Sequence, residues 1–116
     1  MRLSDVKKLV CEAGIPCYKW VVPDPVYVPF PHACVAKIGS GNNLYADNGV
    51  YFPVATCQMY LAMYDDERQE DIEYAVDKIF DDNNIPYTYI MGYNRDENIV
   101  VKTYTFEIPE EVTDNE

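Results

Sequence analysis

Two junctions in this chain are built alike. Gly14-Ile15-Pro16-Cys17-Tyr18 and Asn84-Ile85-Pro86-Tyr87-Thr88 each follow a stretch with helical apolar spacing and lead into residues suited to a strand. In the first stretch Val6, Leu9, Val10 and Ala13 recur at i, i+3, i+4 and i+7; in the second Ile72, Ala75, Val76, Ile79 and Phe80 do the same. Each pattern predicts a helix with one buried stripe. Gly14, and Asn83 or Asn84, supply the left-handed stop; the isoleucine folds back on the helix, and proline turns the chain into extended geometry. At the starts, Ser4 is the expected cap of the first helix, with Leu3 as staple and Asp5 suited to its positive end. Asp65 or Asp66 is expected to cap the second, and Asp66 with Gln69 has the form of a capping box.

The remaining segments read as strands and turns. Cys17 to Val22 is extended and carries the single tryptophan, Trp20. Pro23, Pro25, Pro29 and Pro31 make the next segment a stiff connector, because proline removes ladder donors and fixes φ. Ala33 to Ile38 is a strand, closed by the loop Gly39-Ser40-Gly41-Asn42-Asn43. Asn48-Gly49 predicts a tight hairpin turn, since a type I′ turn needs positive φ at both central residues. Val54 to Tyr64 alternates, with Ala55, Cys57, Met59, Leu61 and Met63 on one face. Tyr87 to Tyr93 and Ile99 to Ile108 form a closing hairpin, with Val100, Tyr104, Phe106 and Ile108 sharing a face. The expected fold is α+β: a two-layer sandwich in which an antiparallel sheet of about five strands carries two helices on one face and a protruding β-hairpin. Residues 1–109 are read as one domain and 110–116 as a disordered acidic tail.

Charge restricts function. Nine Lys and Arg against 20 Asp and Glu give a formal net charge of −11. Nucleic-acid binding draws on clustered cations at phosphates, and an anionic membrane surface selects for the same residues. Neither partner is expected, nor is any membrane span, since no segment approaches the ~20 apolar residues that crossing requires. The first residues, with Arg2, Asp5, Lys7 and Lys8, do not resemble a secretory leader, so synthesis in a cytoplasm is expected. Cys11, Cys17, Cys34 and Cys57 are then read as packed thiols. A zinc set of Cys11, Cys17, His32 and Cys34 has the wrong spacing for the common fingers.

Catalytic chemistry finds little to work with. His32, the only histidine, is two residues from Cys34, and positions two apart on a strand point the same way without forming an easy nucleophile–base pair. Asp65-Asp66 and Asp81-Asp82 sit at the ends of the second helix and are read as solvated charge. Gly39 and Gly41 lack the Lys-Ser/Thr and helix that a phosphate loop requires. No enzyme activity, cofactor or metal is expected.

Contact is the better expectation. The chain holds 11 tyrosines, whose rings suit half-buried sheet faces and interfaces. Leu44, Tyr45, Val50 and Tyr51 flank the Asn48-Gly49 turn; with Tyr60 they are the candidate subunit contacts. Leu3-Ser4-Asp5-Val6-Lys7-Lys8-Leu9 with Gly14-Ile15-Pro16, the run Asn43-Leu44-Tyr45-Ala46-Asp47-Asn48-Gly49-Val50-Tyr51, and Asn84-Ile85-Pro86-Tyr87 together resemble the head–tail joining and tail terminator (tail completion) proteins of long-tailed phages and prophages. The resemblance implies a structural virion protein, located in the tail or neck after assembly in the host cytoplasm. It implies a homo-oligomeric ring, a hexamer, that ends the tail tube and contacts the tail tube protein and head-side connector proteins. The alternative is a small acidic cytosolic adaptor or inhibitor that binds a basic host protein.

Overall fold

A computed structural model describes residues 2–20, 30–40, 44–45, 51–52 and 54–109, with only the backbone described at 40, 44–45 and 51–52. The elements run α1 (Leu3–Glu12), β1 (Cys17–Lys19), β2 (His32–Ser40), β3 (Leu44–Tyr45), β4 (Tyr51–Phe52), β5 (Val54–Tyr64), α2 (Gln69–Asp82), β6 (Tyr87–Asn94) and β7 (Ile99–Pro109). Five strands form an open sheet in the order β1-β2-β5-β7-β6; β3 and β4 form a separate two-stranded sheet. In that small sheet Leu44 pairs with Phe52 and Tyr45 with Tyr51, one residue off the register, Tyr45 opposite Phe52, that a two-residue turn at Asn48-Gly49 would set. Asn48, Gly49 and Val50 lie outside the described residues, as do Pro23–Pro29 and the expected tail at 110–116.

Both helix exits follow the junction rule. At the first, the Ile15 N–H donates to the Val10 carbonyl and the Gly14 N–H to that of Cys11. At the second, the Ile85 N–H donates to Phe80 and the Asn84 N–H to Asp81. This is the Schellman pattern, with Gly14 at φ +89° and Asn84 at φ +57° in the left-handed position. Ile15 and Ile85 are both buried in the core. The helix starts differ from expectation. α1 begins two residues earlier, with the Arg2 N–H donating to Asp5 Oδ2 at 2.8 Å in place of a Ser4 cap. Asp66 accepts from the Arg68 N–H at 2.9 Å, forming a local turn, so α2 begins only at Gln69.

The sheet is antiparallel except at one edge, where β1 pairs parallel with β2, Cys17 opposite Ala33 and Lys19 opposite Val35. This corrects the expectation of a wholly antiparallel sheet. The reason is length: residues 20–31 supply the roughly dozen residues that a crossover between parallel neighbours needs. Ala55, Cys57, Met59, Leu61 and Met63 all face the helices and are buried. Leu3, Val6 and Val10 of α1 and Val76 and Phe80 of α2 close over them in one core. Phe80 packs its ring 5.1 Å from Tyr104 and 5.0 Å from Phe106. Each fully buried side chain of this size contributes about 1.5–3 kcal/mol. α1 lies beside β1 and β2, while the side chains of α2 meet β6 and β7.

Candidate contact surfaces

The densest polar cluster lies under α2. Lys102 occupies a helix-facing position of β7 and is 1% exposed. Its Nζ reaches Glu73 Oε2 at 2.7 Å and Asp77 Oδ1 at 3.0 Å, and the Tyr104 hydroxyl donates to Asp77 Oδ1 at 2.6 Å. Nζ also stands 4.2 Å above the Tyr89 ring. Burial alone would lower the Lys102 pKa; the charge-assisted bonds to Glu73 and Asp77 outweigh it and hold the pKa above its ordinary value. Burial, then the bond to Asp77, pushes the Tyr104 hydroxyl far up. Lys102 therefore remains a cation and Tyr104 a neutral donor at neutral pH. The arrangement clamps α2 to the sheet, with neither group poised to give up a proton. The β7 face expected from alternation omitted this lysine; its place in the parity of Val100 and Tyr104 was the signal.

A second cluster sits on the sheet face opposite the helices. His32 and Cys34 of β2 pair with Ala62 and Tyr60 of β5. The Phe30 ring is 4.8 Å from His32 and 4.9 Å from Tyr64, and His32 meets Tyr60 edge-on at 5.8 Å. His32 and Cys34 are buried, and burial raises the thiol pKa of Cys34 and the phenol pKa of Tyr60. Raised values oppose thiolate formation, so the cluster is an aromatic packing unit. Cys17 is also raised, to about 12, first by burial and then by its neighbours Cys11 and Cys34. No disulfide joins any of the four cysteines. Among the described residues no group of three or more His, Cys, Asp or Glu side chains is placed to hold a metal ion.

The sequence-predicted contacts divide accordingly. Tyr60 is half-buried in the aromatic unit, rather than bare. Leu44, Tyr45 and Tyr51 lie in paired antiparallel backbone, and Val50 lies outside the described residues. Among the described residues the hairpin pairs with no strand of the main sheet, so strand pairing does not bring these residues together with Tyr60.

Among the described residues, sequence reasoning missed the most exposed apolar surface. β6 is an edge strand of eight residues, Tyr87–Asn94. Tyr89, Ile90, Met91 and Tyr93 are all exposed on it, Ile90 at 75%. The alternation puts Tyr89, Met91 and Tyr93 on the helix side; the other face carries Thr88, Ile90, Gly92 and Asn94, with Ile90 its one large apolar side chain. Alternate residues of an edge strand also turn their backbone N–H and C=O groups away from the sheet. The signal in the sequence was Ile90, which breaks the alternation of Tyr87, Tyr89, Met91 and Tyr93 with Thr88 and Gly92.

At the opposite edge Trp20 ends β1 at φ +76°, a left-handed conformation that bulky residues rarely adopt, and is 52% exposed. Lys19, the residue before it, lines a shallow depression with Ser4, Lys7, Lys8 and Cys11, and its Nζ donates to Ser4 Oγ at 2.9 Å. Among the described residues, no helix is long and apolar enough to cross a membrane. The sequence matches no protein-family model and no curated protein.

Proposed function

We propose that this chain is a structural subunit of a phage neck, whose copies form a ring that ends the tail tube and joins tail to head. The single observation that carries the reading is β6: a full-length edge strand with Tyr89, Ile90, Met91 and Tyr93 exposed. A soluble domain ordinarily blunts such an edge with charge, proline or a covering element, because it templates pairing with another chain. An edge left bare is suited to a protein that is finished only by assembly. The separate two-stranded hairpin adds a second contact element, available to the tail tube protein or the head-side connector. The resemblance in the sequence supplies the neck as the place.

The acidic surface favours one other reading, an adaptor or inhibitor of a basic host protein. Residues 65–82 carry nine carboxylates against two cations, enough to steer such a partner. Mass spectrometry of purified virions, produced by induction of the host that encodes the chain, separates the two. The neck reading expects the chain in the particles at a fixed copy number. Particles that lack it overturn that reading, and salt-sensitive capture of a basic host protein then carries the second.

A further inference from the structure

We infer that copies of this chain join head to tail, with the β6–α2 edge of one copy seated against the α1–β1 edge of the next. The inference rests on the ring reading and names the two surfaces it needs. A cyclic assembly uses a heterologous interface, so two different patches of one subunit must complement each other. The sheet order puts β1 and β6 at opposite edges. Charge is sorted between them. Residues 2–20, which build the β1 edge and its helix, hold four cations (Arg2, Lys7, Lys8, Lys19) against two anions (Asp5, Glu12). Residues 65–82, which build α2 beside β6, are strongly acidic despite the chain's two local cations, Arg68 and Lys78.

Apolar anchors accompany the charge at each edge. Ile90, Met91 and Tyr93 are exposed on β6, and the exposed Trp20 follows Lys19, which lines the lysine-rich depression, at the end of β1. Aromatic anchors with opposite charge around them are the usual composition of a contact centre. An isologous contact of β6 with a second β6 would place two acidic α2 helices side by side, a like-charge juxtaposition. The occupant of the β6 edge is therefore the basic edge of another copy.

Complementation between two one-sided variants tests this. Ile90→Lys disables the β6 edge at an exposed position, and Lys7→Glu with Lys8→Glu disables the α1 edge. Circular dichroism of each variant confirms that the fold is kept. Each variant retains one good edge, and the good edges are the two halves of one interface. Sedimentation velocity of each variant alone is expected to give monomer, and the equimolar mixture a heterodimer that dissociates as salt is raised. A mixture that stays monomeric overturns the inference. So does wild-type self-association that neither variant disturbs, and in that case the chain still forms an oligomer through other surfaces and the ring reading survives. Absence of the chain from virions, by contrast, removes the ring reading whatever the mixture does.

Discussion

Lys102 stands at a position that the alternation of β7 reserves for an apolar side chain, and three partners make it tolerable there. Removing it leaves Glu73 and Asp77, each only about a quarter exposed, facing one another without a counter-ion. Lys102→Ala is expected to lower unfolding free energy by about 3 kcal/mol, measured by urea denaturation. Lys102→Met should cost less, because its stem keeps the packing. Tyr104→Phe deletes only the donor to Asp77, an expected loss of about 1–2 kcal/mol. Cys17 sets a pH dependence. Its thiol titrates at an ordinary 9.0 when unfolded and at about 12 in the fold. The unfolded chain loses that proton first, so the stability it contributes is whole below pH 9.0 and drains away towards pH 12. Lys102 and Tyr104, both raised, act in the same direction from their ordinary 10.5 and 10.0 upward. The urea midpoint is therefore expected to fall over that range, and less steeply in Cys17→Ala. At this scale the sequence displayed Lys102 in core parity and Glu73 and Asp77 at i and i+4. It could not display that the three converge, because convergence depends on where α2 crosses the sheet.

Helix ends show which parts of an element are local. The stops were legible because every atom of a Schellman turn comes from one short stretch: Val10 to Ile15, and Phe80 to Ile85. The starts were not, because Ser4, Asp5, Asp65 and Asp66 all offer oxygens to nearby backbone and small differences in approach choose between them. The parallel pairing of β1 was illegible for another reason: three residues carry too little pattern to fix direction, and their partner lies across a connector. The two stops make a paired prediction. At Gly14 an added Cβ meets nothing within 4 Å, so Gly14→Ala reports backbone strain alone, an expected loss of about 1–2 kcal/mol. Asn84→Gly relieves a left-handed residue and should be neutral or slightly stabilising. Thermal melts of the two variants should move in opposite directions or only the first should move.

Across the whole molecule the two-layer α+β plan followed from the apolar stripes and the strand alternation, since only a shared sheet face buries both. The contact surface did not follow. The turn chemistry of Asn48-Gly49 is explicit in the sequence, whereas β6 is exposed only because β7 inserts between it and β5. The same sheet order turns a linear unevenness in charge into a polarity across the molecule, basic at α1–β1 and acidic at α2. A charge-matched, edge-to-edge contact should weaken by about tenfold or more in dissociation constant between low and high salt. Sedimentation velocity of the wild-type chain at low salt, over a concentration series reaching about 1 mM, tests the central claim most directly. The account predicts species larger than the 13.4 kDa protomer that grow with concentration and revert to protomer in high salt. A protomer that sediments unchanged at every concentration and salt would contradict it.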